Sequence, residues 1–121
     1  MADSEASLEE LKEMVKKFCE ERDWDRYHAP KELCTGLVIE AAELLDHFRA
    51  MSSEEQIAAL SDPKKGREIR DELADSFYWI LRLSQMYDIN LSEALSTKMR
   101  ENAKKYPVDK ARGSRKKYNE L

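Results

Sequence analysis

Residues 30–50 read PKELCTGLVIEAAELLDHFRA and residues 63–87 read PKKGREIRDELADSFYWILRLSQMY. Each stretch opens on proline, which suits the first turn of a helix because a helix leaves that N–H unbonded anyway. Leu33, Leu37, Ala41, Leu44, Leu45 and Phe48 recur at helical spacing in the first, and Ile69, Leu73, Ile80, Leu83 and Tyr87 in the second. Two amphipathic helices are therefore predicted, about 30–50 and 63–87. Upstream, Leu8, Leu11, Met14/Val15 and Phe18 predict a helix over 7–22, with Ser7 and Glu10 as its capping box. RDWDRYHAP breaks that pattern, and Ser52-Ser53-EEQIAAL predicts a short extra turn or two. Downstream, Asn90 or Ser92 caps a helix over 91–105, which Pro107 ends, leaving a basic tail over 106–121. Four amphipathic helices with short connections predict an all-α, antiparallel four-helix bundle in a single domain, 1–121. Phe77, Tyr78 and Leu81 widen the apolar arc of the 63–87 helix to about 200°, so it faces more than one neighbour. A homo-oligomer is expected, a homotetramer first and a homodimer second.

The chain has 121 residues, 41% hydrophobic and 38% charged, with three glycines and three prolines, a profile of a helical soluble domain. No apolar run approaches the roughly 18 residues of a membrane span. The opening MADSEASLEE lacks a basic and an apolar region, so no secretory signal and a cytoplasmic location are expected. Cys19 and Cys34 form no CxxC and read as reduced thiols. Residues 104–117 carry seven Lys/Arg and one acid; with a net charge of −4 overall, the remaining residues sum to −10. That acidic body argues against nucleic acid as partner, while the tail suits a smaller anion.

Four acids fall where helices bury apolar groups. At 100° per residue with Leu33 at zero, Glu40 lies at about 340°, within the stripe of Leu37 and Leu44, and Glu43 borders it at about 280°. On the second helix, with Ile69 at zero, Glu72 lies at about 300° and Asp75 at about 240°, flanking Trp79 at about 280°. Acids on a core face need something positive to meet them. Two i,i+3 pairs converging from two helices would repel and raise one another's pKa values unless a hard divalent cation, Mg²⁺ or Mn²⁺, joined them. A di-iron carboxylate site needs ExxH pairs, which are absent; His47 reads as a polar flank residue.

EAAE at 40–43 and ELAD at 72–75, 28 residues apart, resemble the ExxE…ExxD signature of the MazG-like, all-α nucleoside triphosphate pyrophosphatases. RDWDRYHAPKEL (22–33) and KMRENAKKYPVDKARGSRKKY (98–118) are similar to segments of that family's dCTP pyrophosphatase branch. The resemblance implies Mg²⁺-dependent hydrolysis of a nucleoside triphosphate to monophosphate and pyrophosphate, in nucleotide-pool sanitation. It implies that Glu40, Glu43, Glu72 and Asp75 hold the metal. Lys98, Tyr106, Arg112, Ser114 and Lys116 match family positions near the phosphates, and Asn102 shares the face of Lys98 and suits a base edge or sugar hydroxyl. Glu40, most enclosed by pattern, is the expected catalytic group that orients or deprotonates water. Trp24, His28 and Trp79 are candidates for the nucleoside pocket. Trp24 has no periodic core role, whereas Trp79 reads either as a stacking surface or as a core-edge residue. The sequence departs from the branch at Val15, where it has a histidine, at Ala50, where it often has tryptophan, and at Trp79, where it typically has tyrosine. The dCTP preference is thereby left open, with dUTP or phosphoribosyl-ATP hydrolysis as other outcomes. A non-catalytic helical module that binds nucleotide or protein is the alternative from another class.

Overall fold

Residues 1–121 are all described by the computed structural model, which is helical throughout, without strands. Helix α1 (Leu8–Glu21) starts at Ser7, whose hydroxyl accepts from the Glu10 N–H while the Glu10 carboxylate accepts from the Ser7 N–H, the reciprocal cap that S-L-E-E encodes. It ends by a left-handed residue, Asp23 with φ 55. The Trp24 N–H then reaches back to the Cys19 carbonyl at 3.1 Å and the Asp23 N–H to Glu20 at 3.0 Å. This is a Schellman ending, and its customary apolar contact is made by Trp24 edge-on against Phe18, with centroids 5.6 Å apart. Helix termination thus sets where Trp24 stands. A 3₁₀ turn, Asp25–Tyr27, leads to α2 (Pro30–Asp46).

Helix α2 stops at Asp46, four residues before the expected Ala50. Residues 47–50 turn instead, with Phe48 bonded to the Leu45 carbonyl at 2.9 Å and Ala50 at φ 61. A second capping box, Ser52 with Glu55, opens α3 (Ser53–Ser61). Asp62 caps α4 (Pro63–Met86) by accepting from the Lys65 N–H at 2.8 Å. Helix α4 packs against α1, α2 and α3. Gly66 permits the tight passage of α3, since a Cβ there would lie 2.6 Å from the Leu60 carbonyl oxygen.

Two compact units divide the chain, Met1–Asp88 and Ile89–Leu121. In the first, Val15, Cys19, Leu33, Ala59, Ile69 and Leu81 are buried. Leu45 (62% exposed), Leu73, Ile80 and Tyr87, expected in the core, stand exposed, as do Val38 (67%), Ile39, Ile57 and Phe77. α2 and α4 are apolar on more faces than this unit can cover. In the second unit, Asn90, rather than Ser92, caps α5 (Leu91–Lys105), accepting from the Glu93 N–H at 3.0 Å. Pro107 starts a single turn, α6 (Val108–Ala111), and a 3₁₀ turn, Tyr118–Glu120, follows. The expected fourth helix, α5, thus belongs to this second unit. No helix is long and apolar enough to cross a membrane.

Candidate active site

Packing of α2 against α4 brings Glu40, Glu43 and Glu72 together, one carboxylate oxygen of each lying within 4.8 Å of the others. Glu40 Oε2 and Glu72 Oε2 are buried with no hydrogen-bond partner. Burial first, then the adjoining Glu72 carboxyl and the charges of Glu43 and Asp75, push the Glu40 carboxyl up to about 7. Anionic oxygens without donors are costly to enclose. Such an all-oxygen donor set fits a hard divalent cation. A cavity of about 310 Å³ beside the trio is lined by Glu43, Asp46, His47, Lys65 and Glu72. His47 flanks the acids, its Nε2 3.8 Å from Glu72 and its Nδ1 3.9 Å from Glu68. Lys65 was missed in sequence, although it precedes Glu72 by two helical turns and so shares its face.

Asp75, the fourth acid, stands outside the trio and lines a neighbouring cavity of about 510 Å³ with Met14, Val15, Phe18, Trp24, Tyr78 and Trp79. The rings meet edge to face: Phe18 with Tyr78 at 6.1 Å, and Tyr78 with Trp79 at 4.9 Å. Trp79 lies against α2 because residue 36 is glycine; a Cβ there would fall 2.4 Å from the indole Cε2. Tyr78 OH meets Cys19 Sγ at 3.1 Å, and burial, then that contact, hold the phenol protonated well above its usual range. Met14 and Phe18 fall at helical spacing in the sequence and Tyr78 widens the arc of its helix, and periodicity cannot separate a cavity wall from a core contact. Ala50 is not among the lining residues.

His28 backs this wall, edge-on to Trp79 at 5.8 Å and to Trp24 at 6.4 Å. It is buried, and its Nδ1 accepts from Arg82 Nε at 2.9 Å while its carbonyl accepts from Tyr87 OH at 2.8 Å. Burial and then the Arg82 charge lower its pKa, so the ring is neutral with its proton on Nε2. Arg82, 1% exposed, also donates to Asp25 and, at 2.6 Å, to Gln85. Sequence reasoning missed Arg82, though a lone cation inside WILRLS was a signal.

The six other expected contacts all lie in the second unit. Lys98 Nζ is 3.8 Å from Glu101 and lines a cavity of about 450 Å³ with Asn90, Glu93, Ala94, Thr97 and Glu101. Asn102 is half-buried, and its carbonyl accepts from the Tyr106 N–H at 2.9 Å. Tyr106 packs edge-on to Tyr118 at 6.1 Å. Arg112 and Lys116 are exposed, and the Ser114 hydroxyl accepts from the Lys116 N–H at 3.2 Å.

An all-helical chain with ExxE and ExxD on adjoining helices falls in the class of all-α proteins that present paired acids from two helices. Residues 37–121 match the MazG-like family, and the chain belongs to it. It is 33% identical over 118 residues to dCTP pyrophosphatase 1 of Bos taurus, spanning 98% of this chain and 70% of that protein. It is 32% identical over 117 residues to dCTP pyrophosphatase 1 of Homo sapiens, spanning 97% and 69%. Its structure resembles the crystal structure of a pyrophosphatase from Archaeoglobus fulgidus, with a TM-score of 0.77 and 38% identity over 83% of this chain and 92% of that one.

Proposed function

We propose that this protein is a magnesium-dependent nucleoside triphosphate pyrophosphohydrolase that converts dCTP, or a related pyrimidine deoxynucleotide, to the monophosphate and pyrophosphate. The observation that carries this reading is the carboxylate trio with two unpartnered buried oxygens, next to an aromatic cavity that Asp75 also lines. The relatives named dCTP pyrophosphatase 1 and the related pyrophosphatase structure support nucleotide pyrophosphohydrolase activity and favour the cytosine base.

Glu40, Glu43, Glu72 and Asp75 would hold Mg²⁺, with Mn²⁺ as a substitute. Bound there, the cation supplies neutralisation of the triphosphate and of the departing pyrophosphate. Glu40 is the proposed catalytic group, orienting the water and accepting its proton as the water oxygen bonds to phosphorus and the bond to pyrophosphate breaks. Trp24 and Trp79 flank the base, and His28 holds their backs. Lys98, Asn102, Tyr106, Arg112, Ser114 and Lys116 are the proposed phosphate, sugar and base-edge contacts, on the family resemblance. The exposed faces of α2 and α4 support a homo-oligomer, a tetramer before a dimer, and a cytoplasmic role in pool sanitation fits the substrate.

The test is pyrophosphate release from the eight common nucleoside triphosphates and 5-methyl-dCTP, with Mg²⁺ and with EDTA. Metal-dependent release that Glu40→Gln abolishes is expected, fastest on a cytosine nucleotide. No turnover on any triphosphate would leave a nucleotide-binding module in its place.

A further inference from the structure

Arg82 has the most enclosed charged side chain of the chain, 1% exposed. It sits on α4 one turn after Trp79, so the two share a face. Its guanidinium donates to the Asp25 carboxylate, to His28 Nδ1 at 2.9 Å and to Gln85 Oε1 at 2.6 Å. Asp25 and His28 bracket the 3₁₀ turn that directly follows Trp24. The further tie given to that turn from α4's end is Tyr87 OH to the His28 carbonyl at 2.8 Å. Enclosing a guanidinium is costly, and a leucine or methionine would pack this face without that penalty. What an apolar residue would not supply is a planar fork that bonds two points of one turn at once.

We propose that Arg82 is a positioning residue for the base pocket. By tying residues 25–28 to α4 it fixes the tilt of Trp24 at the cavity, and so sets affinity for the nucleobase without touching it. This rests on the reading of the cavity as a nucleoside site. The termination of α1 places the Trp24 backbone, but Asp23 is exposed and its side chain bonds only Arg26 within the same turn. The side-chain tie to α4 at both ends of the turn therefore runs through Arg82, with Tyr87 adding one bond to the His28 carbonyl.

The experiment is Arg82→Lys in the full chain, which keeps the charge and loses the fork. KM for the nucleoside triphosphate is expected to rise about tenfold with kcat within about twofold, since a stacked base contributes on that scale. Inhibition by inorganic tripolyphosphate, which has no base, is expected to stay unchanged. In a Trp24→Ala background, Arg82→Lys is expected to add nothing further to KM. In a Trp79→Phe background, Trp24 emission without ligand is expected to shift red in Arg82→Lys. Asp25→Asn, at a half-exposed partner, is expected to act in the same direction more weakly and serves if Arg82→Lys does not fold. Unchanged emission with unchanged KM would overturn the proposal, as would a KM effect that persists in full without Trp24 or a matching loss of tripolyphosphate inhibition. Should no triphosphate be turned over, the proposed function falls, whereas the emission shift and weakened dCMP binding by dialysis still read this inference.

Discussion

Replacing Gly36 by alanine sets two helical effects against each other, and the structure decides between them. In an ordinary helix the change stabilises by about 0.8–1.0 kcal/mol, because alanine has less backbone freedom to lose. Here the new Cβ would lie 2.4, 2.6 and 2.7 Å from three carbons of the Trp79 indole. Carbon atoms rest about 3.5–4.0 Å apart, so the ring must move by about 1 Å or more. Its retreat is opposed by Tyr78, 4.9 Å away between centroids, and by His28, held at 5.8 Å by the buried Arg82. Overpacking of this kind costs about 1–3 kcal/mol. The net effect expected for Gly36→Ala is a loss of about 0–2 kcal/mol. Its functional effect should be larger, since the displaced ring is one wall of the aromatic cavity proposed to take the base. Urea unfolding gives the first quantity. Initial rates on the best nucleotide give the second, with KM expected to rise about tenfold or more and tripolyphosphate inhibition retained. A variant more stable by about 1 kcal/mol with unchanged KM would refute the close packing of Trp79 on α2 as a determinant of the site.

Glu40→Gln should separate stability from function. The folded carboxyl is held up to about 7 against 4.5 for a free one, so the metal-free protein loses stability as pH rises from about 4.5 through 7, where the unfolded chain ionises freely and the folded one resists. In EDTA, Glu40→Gln should remove that slope and gain about 1 kcal/mol at pH 8, once solvent screening is counted, while metal-dependent turnover disappears; a slope that survives the substitution would place the strain on another acid. Ala50→Gly should raise stability by about 1 kcal/mol, because φ 61 is a left-handed conformation that a Cβ disfavours, and thermal unfolding reads it as a Tm higher by a few degrees. Leu73→Lys, at a half-exposed site, costs little in a lone chain but should dissociate an assembly that covers α4, which sedimentation at micromolar concentration would detect as a smaller species; an unchanged mass would remove that face from the interface.

The helix starts were legible because each has local chemistry: Ser7 with Glu10, Ser52 with Glu55, Asp62 before Pro63, and Asn90. The end of α2 was not, since no glycine or proline marks residues 47–50 and an alanine takes the left-handed conformation. Glu40, Glu43 and Glu72 were legible as acids inside or beside apolar stripes, and Trp24 as an aromatic outside any stripe. The Arg82–His28 bond was hidden because it joins residues 54 apart in sequence, and its partner loop has no periodicity to place it. Apolar spacing also failed to separate Ile69, which is buried, from Leu73 and Ile80, which are exposed. A helical stripe states that a face will be covered, and it does not say by what.

Glu72, Asp75, Trp79 and Arg82 recur at three- and four-residue steps, so one face of α4 carries an acid of the trio, an acid of the cavity, a cavity wall and the anchor of the Trp24 turn. At 1.5 Å per residue, roughly 10 Å separate Glu72 from Trp79 along the axis and roughly 15 Å separate Glu72 from Arg82. A helix is stiff enough to act as a ruler between the acidic trio, the proposed phosphate end, and the aromatic cavity, the proposed base end. The distance between the two is therefore built into α4 alone, whereas the shape of the base end comes from what docks on it: Gly36 of α2, Val15 and Phe18 of α1, and the turn that Arg82 holds. Substitution in those docking elements can reshape the base pocket while leaving the acids in register. Val15 and Ala50, where this sequence departs from the histidine and the frequent tryptophan of the dCTP pyrophosphatase branch it resembles, both lie outside that stripe. A base preference that can shift while the metal chemistry stays intact is what this division of labour permits.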